Sequence, residues 1–224
     1  MRAHCQEENV LSRERVAVYI DGFNMYHALH DLKKPHCKWV NLRRLADLLI
    51  SRKSQEIVLV RYFSAFANHY GPTKDVHKLR NHRAYVEALK AKGVIPHMGN
   101  FAKRDLYYSG KGYKAKWRRY EEKQTDVAIG AHLINDAYQN VFDRALVVCV
   151  DTGMIPAFEI MRLQFPNKPV VCVAPPERSH HRDIQAKVAA VSVIKVSQVE
   201  KALFGAQVVS AGNVVARRPA RYRP

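Results

Sequence analysis

The chain has few cysteines and no pairing pattern among them. Its four cysteines, Cys5, Cys37, Cys149 and Cys172, contain no CxxC spacing. That argues against a disulfide framework and a Cys-rich zinc site, and it favours a reducing, cytoplasmic setting. Cys149 and Cys172 stand inside the apolar runs LVVCV and VVCVA and are expected to pack as small apolar groups. No apolar run approaches ~18 residues, so no membrane span is expected. The opening MRAHCQEENVLSRER lacks the apolar stretch of a secretory signal. There is no GxGxxG, and the GKGY at 110–113 is too short for a phosphate-binding P-loop. Acid is scarce: 20 Asp and Glu face 37 Lys and Arg, for a net charge of +17. A chain this basic points to a polyanionic partner. A membrane surface fits less well, because no basic amphipathic helix stands out.

What is present reads as a folded α/β protein. The 224 residues are 47% apolar, enough for one large domain, or one domain with extensions. Short β-branched runs at 16–20, 56–63, 94–97, 144–150 and 169–173 predict strands. Helical spacing of apolar residues predicts helices near 25–32, 41–51, 74–92, 124–140, 154–164 and 181–190. A further apolar run, VSVIKV, follows at 191–196. Strands alternating with helices imply a mostly parallel sheet covered on both faces. The expected division is a flexible N-terminal arm over 1–14, a domain over 15–204 with a basic aromatic insertion near 102–120, and a basic extended tail over 205–224.

Within this basic chain, acids stand at the ends of apolar runs. Asp21 closes VAVYID with Asn24 three residues on, Asp126 opens the helix after EEKQT, and Asp151 closes LVVCVD. In parallel sheets, ligands bind beyond the carboxyl ends of the strands. Singly, each acid also reads as a turn residue or a helix cap. Together they make a like-charged cluster that calls for a cation or a shared proton. An acidic pocket in a basic protein suggests a divalent metal acting on a phosphodiester.

VAVYIDGFNMYHAL, YEEKQTDVAIGAHLINDAY and RALVVCVDTGMIPAFEIMR, in that order, resemble the NYN domain, the LabA-like branch of the PIN-like nuclease superfamily. KLRNHRAYVEALKAKGVIPHMGNF is similar to the family's middle helix and third strand, so the resemblance covers roughly residues 14 to 200. It implies a PIN-like three-layer α/β/α sandwich with a mostly parallel central sheet. It also implies RNA cleavage dependent on Mg²⁺ or Mn²⁺. The family's acids fall on Asp21, Asp126 and Asp151, with Asn24 as partner of the first; these acids are the expected metal ligands. Thr152 is expected to donate a hydrogen bond to a phosphate or a water. The family's fourth strand usually ends Asp-Ser-Asp, and here it ends Asp151-Thr152-Gly153. A missing acid implies a weakened or inactive nuclease. Gly153 fits either a degenerate RNA-binding relative or an engineered change that silences a toxic enzyme. His132 is expected to be a packed or hydrogen-bonded helix residue and His180-His181 a solvated loop pair. Tyr107, Tyr108, Lys111 and Lys114 stand where many relatives carry paired cysteines, which gives a structural zinc there no support. A homodimer and a protein inhibitor are further expectations by analogy.

The segment KRDLYYSGKGYKAKWRR at 103–119 carries seven Lys and Arg among aromatic residues. Cations neutralise phosphates and aromatic faces stack on unpaired bases. Lys103, Arg104, Tyr108, Lys114, Lys116, Trp117, Arg118, Arg119 and Lys123 are therefore candidate RNA contacts beside Asp126. Lys78, Arg80, Arg83 and residues 217–223 are expected to extend the track.

Overall fold

The computed structural model describes residues 12–66, 76–110, 113–122 and 124–223, the backbone alone at 76 and over 102–110 and 113–122. The strands are β1 (Glu14–Asp21), β2 (Gln55–Ala65), β3 (Ile95–Gly99), β4 (Phe101–Gly110), β5 (Tyr113–Glu122), β6 (Arg144–Val148), β7 (Val170–Ala174), β8 (Ala190–Val193), β9 (Gln207–Ser210) and β10 (Asn213–Arg217). The α-helices are α1 (Gly22–Asp31), α2 (Leu42–Asp47), α3 (Val76–Lys90), α4 (Thr125–Tyr138), α5 (Ile155–Gln164), α6 (Arg182–Gln185) and α7 (Val196–Lys201). Single 3-10 turns lie at Pro35–Trp39, Thr152–Met154 and Ala220–Tyr222.

Six strands form one parallel sheet in the order β3-β2-β1-β6-β7-β8. β1 is buried on both faces, which is why its sequence is a continuous apolar run rather than an alternating one. Val16, Val18 and Ile20 pack with Met25 and Leu29 of α1, Leu42 and Leu45 of α2, and Val86 and Leu89 of α3. Ala17 and Tyr19 face the other way, toward Ile129 and Leu133 of α4 and Phe158 and Met161 of α5. The result is a three-layer α/β/α sandwich with a core on each face of the sheet. The chain winds outward from β1 to β3, then returns to place β6 against the other side of β1. That reversal leaves a crevice at the carboxyl ends of β1 and β6.

The basic aromatic insertion, whose form the sequence left open, is an antiparallel hairpin, β4 with β5, Phe101 opposite Glu122 and Gly110 opposite Tyr113. Two regions differ from the sequence expectation. The 205–224 segment is not an extended tail. β9 and β10 form a second hairpin whose Val208 and Ala216 enter the same core as Leu89 and Phe204. Two apolar anchors are enough to hold it, and the core therefore continues past residue 204. The helix expected at 181–190 is one turn, Arg182–Gln185, and the run after it supplies the exposed edge strand β8. Residues 1–11 of the expected arm, and Lys123, lie outside the described residues.

A buried polar cluster ties α4 to the sheet. Asp136 is 1% exposed. It accepts hydrogen bonds from Tyr19 Oη at 2.7 Å and from Arg61 Nε and Nη2 at 2.8 Å each. Removing the carboxylate would leave a buried guanidinium and a phenol without their acceptor. Asp136→Ala is therefore expected to cost about 3–5 kcal/mol, read as a lowered urea midpoint. His132 packs in this neighbourhood, its ring 4.1 Å from that of His97 and 5.7 Å from Phe63.

Candidate active site

Asp21 is the last residue of β1 and the N-cap of α1. Its Oδ1 accepts from the backbone N–H groups of Phe23 at 2.8 Å and Asn24 at 3.0 Å. The strand can turn into a helix this tightly because residue 22 has no side chain. A Cβ there would lie 2.6 Å from the Phe63 carbonyl oxygen and 2.7 Å from the Tyr62 ring. Asp21 is only 3% exposed. Burial pushes its carboxyl up to about 6; the hydrogen bonds from Asn24 and Phe23 oppose that rise and the charge of Asp126 adds to it.

Asn24 joins two strand ends. Its Nδ2 donates to Asp21 Oδ2, and its Oδ1 accepts from Val150 N–H at 3.0 Å. Asp151 follows directly, capping the 3-10 turn with Oδ1 2.9 Å from Gly153 N. Asp126 arrives from the first turn of α4. A Cβ built on Gly153 would lie 2.7 Å from Asp126 Oδ2 and 3.4 Å from Asp151 Oδ1, so these two carboxylates flank one point. Cys149 lies behind them. Its thiol is pushed well above its ordinary value, first by its contact with Cys172 and by burial, with Asp21 and Asp126 contributing. Its sulfur is 3.7 Å from Cys172 Sγ, and both residues are fully buried, as the apolar runs implied.

Asp21, Asn24, Asp126 and Asp151 thus line a single cavity of about 880 Å³. Thr152 does not line it. It lines a neighbouring cavity with Ser179, His180 and His181, which shares Asn24 and Asp151 with the first. His180 is half-buried rather than solvated, and its Nε2 is enclosed without a hydrogen-bond partner. The hairpin β4–β5 is rooted at the main cavity: Phe101 lines it and stacks edge-on to Phe23 at 5.8 Å, and β5 leads into Asp126. The side chains of Lys103, Arg104, Tyr108, Lys114, Lys116, Trp117, Arg118 and Arg119 lie outside the described residues, although their strands are placed.

The same cavity holds residues that the sequence reading did not single out. His82 on α3 lies 3.4 Å from Tyr62 Oη, and burial lowers it to about 4, so it is neutral at pH 7. Lys38, Tyr26 and Tyr222 also line the wall. Local pattern could not find them, since they come from a 3-10 turn, a helix surface and the C-terminal segment.

A doubly wound parallel sheet with acids at its switch point defines an α/β domain with an acidic crevice at its carboxyl edge. The NYN domain model matches residues 15–194, and the chain belongs to the NYN domain family. The fold also resembles the crystal structure of a Vibrio parahaemolyticus protein of unknown function. That likeness has a TM-score of 0.51 and 18% identity, and covers 82% of this chain and 94% of the other. No curated protein matches the chain. Family membership carries a nuclease-like, RNA-related function. Among the described residues no helix is long and apolar enough to cross a membrane.

Asp21, Asp126 and Asp151 supply the oxygen donors that a hard divalent cation takes, around one cavity, but their carboxylate oxygens do not all lie within 4.8 Å of one another. Asp21 has spent three of its acceptor positions on Phe23, Asn24 N–H and Asn24 Nδ2, and retains capacity on Oδ2. A buried carboxylate such as Asp21, its proton affinity raised by burial and by the charge of Asp126, is what a bound cation relieves.

Proposed function

We propose that this chain is a metal-dependent endoribonuclease, weakened by Gly153, with Asp21, Asp126 and Asp151 holding Mg²⁺ or Mn²⁺. The supporting observation is the convergence of the three acids at the carboxyl ends of β1 and β6 and the start of α4. A divalent cation there supplies neutralisation of phosphate charge and a more acidic water. The residues do the rest. Asn24 fixes the Asp21 carboxylate and, through Val150 N–H, the position of the Asp151 turn. Phe101 and Phe23 narrow the mouth, and the basic hairpin rooted there holds the strand by its phosphates and bases. Thr152 reaches a phosphate only from the adjoining cavity, so its role is secondary to the acids.

The experiment is cleavage of an end-labelled single-stranded RNA. Slow internal cleavage with Mn²⁺ is expected, absent in EDTA. Asp151→Asn should reduce it about a hundredfold or more, because a lost ligand removes charge stabilisation from the transition state. Metal-independent binding with no cleavage under any condition would overturn the hydrolytic reading. A second reading, an RNA-binding module that does not cut, is favoured by one observation: the point a fourth acid would reach is approached by the Asp126 carboxylate itself.

A further inference from the structure

A group of mixed metal-binding side chains stands apart from the acidic edge. His36 and Cys37 come from the 3-10 turn at Pro35–Trp39, and Glu200 comes from α7. One ring nitrogen of His36, the Cys37 sulfur and one Glu200 oxygen all lie within 4.8 Å of one another. Among the described residues no other three His, Cys, Asp or Glu side chains come so close together. Donor atoms around one tetrahedral zinc stand about 3–4 Å apart, so side-chain rotation closes the remaining gap.

Backbone contacts hold the two segments together without any ion. Asn41 N–H donates to the Ala202 carbonyl at 2.8 Å, Phe204 N–H to the Trp39 carbonyl at 3.0 Å, and Trp39 Nε1 to the Gly205 carbonyl at 3.0 Å. Val40 and Leu203 form an antiparallel bridge between them. The three ligands are thus brought together before a metal arrives, and little ordering entropy opposes binding. Cys37 is fully buried, His36 half-buried and Glu200 exposed, so an ion enters from the Glu200 side. Lys34 stands there, its Nζ 2.7 Å from Glu200 Oε1. These side chains are 47% and 41% exposed, so the pair contributes little and a dication can take its place. Burial first, then the Glu200 charge, raises the Cys37 thiol, with Lys34 opposing. Binding therefore releases the thiol proton to solvent as the metal–sulfur bond forms.

We propose that His36, Cys37 and Glu200 form a zinc-type site, with a water completing the tetrahedron, that clips α7 to the turn before α2. Sulfur, nitrogen and oxygen donors in one site suit Zn²⁺ and its late transition-metal neighbours rather than Mg²⁺. Asp21, Asp126 and Asp151 offer oxygen alone, so the two places differ in the ion they take. Glu200 lies beyond residue 194, where the family match ends. Lys38, next to Cys37 in the chain, lines the acidic cavity, and the clip fixes that stretch of its wall. The site does not rest on the nuclease reading.

The test is titration of the full chain, reduced and stripped with EDTA, with Co²⁺ as a spectroscopic stand-in for Zn²⁺. One equivalent is expected to give visible ligand-field bands and a near-ultraviolet sulfur-to-Co²⁺ band, both displaced by Zn²⁺. Co²⁺ held by the three acids has no sulfur ligand, so the near-ultraviolet band reports this site. Cys37→Ser is expected to abolish that band. Glu200→Gln and His36→Gln are each expected to weaken Co²⁺ binding at least tenfold, the loss seen when even an outer partner of a metal ligand is removed. Zn²⁺ at a hundred times its dissociation constant should raise the melting temperature by about 5 °C, in the parent and in Asp151→Asn alike, and much less in Glu200→Gln. A parent with no sulfur-to-Co²⁺ band would overturn the proposal. So would a band that survives in Cys37→Ser, because the thiolate would then be Cys5, Cys149 or Cys172. Where Cys37→Ser does not fold, the two Gln variants decide: parent-like Co²⁺ affinity in either folded chain overturns the site.

Discussion

Gly153→Asp raises Mn²⁺-dependent RNA cleavage about ten- to hundredfold over the parent chain, the scale by which a metal site responds to a restored partner. On the proposed reading the acids at the switch point carry the charge that would attract a cation, and the parent has one fewer than the resemblance implies. Asp151 and Asp126 already flank residue 153, so a carboxylate added there joins an existing pair rather than building a new site. There is a steric cost. The new Cβ lies 2.7 Å from Asp126 Oδ2, a separation that real Cβ atoms do not sustain. Asp126 must swing away, and the atom in question belongs to its side chain rather than to the backbone. Gly153→Asn separates the two effects: it imposes the same Cβ with no added charge. The variant with Asn is expected to match or fall below the parent in rate, while Asp exceeds it. In EDTA the Asp variant is expected to melt below the parent, since another carboxylate has joined a crowded group. With Mn²⁺ its melting temperature should rise by more than the parent's does. Equal inertness of the Asp variant and the parent would remove the idea that Gly153 silences an otherwise competent enzyme.

The parts of this site that can be read from sequence are those fixed by strand ends. VAVYID and LVVCVD are legible because a central parallel strand is apolar on both faces, and an acid after such a run has nowhere to go but the carboxyl edge. The Asp-Gly pair after β1 reads as a turn. Its need for glycine comes from Phe63 and Tyr62 on the neighbouring strand, which only the packed sheet reveals. The hairpin β4–β5 is hard to read because β4 shows no apolar alternation, and β5 alternates only over Tyr113, Ala115 and Trp117 against Lys114 and Lys116. Its ladder is held by backbone pairing across ten positions, from Phe101–Glu122 to Gly110–Tyr113. The C-terminal hairpin was hidden for a similar reason: Val208 and Ala216 are thin signals in a stretch rich in exposed residues. Arg61 was a signal left unused. A charged residue inside the apolar strand EIVLVRYF requires a buried partner, and Asp136, a turn beyond Leu133 on the inner face of α4, is that partner.

Asp21→Asn is expected to abolish cleavage and, in EDTA, to reverse its stability ranking against the parent as pH rises. The Asp21 carboxyl is held at about 6, above the ~3.9 of an unfolded chain. A group raised in the folded state contributes stability that is complete below the unfolded value and lost as pH rises through the folded one. The parent therefore weakens between pH 4 and pH 7 by about 2 kcal/mol relative to a variant that cannot ionise there. Asn is not neutral at low pH. Its amide would face the Asn24 Nδ2 donor, which cannot turn over without giving up Val150 N–H. The variant should thus be the less stable protein at pH 4 and the more stable one at pH 7.5. Urea midpoints across that range give the difference directly, and the titrations of His82 and His97 cancel because both proteins share them. Mn²⁺ at a hundred times its dissociation constant returns about 2.7 kcal/mol to the parent alone and restores the original order at pH 7.5. Parallel curves across the pH range would mean that burial does not penalise the Asp21 charge. A crossing that Mn²⁺ leaves untouched would mean that the penalty is real but no cation is held there, and the acidic edge would then owe its strain to something other than metal binding.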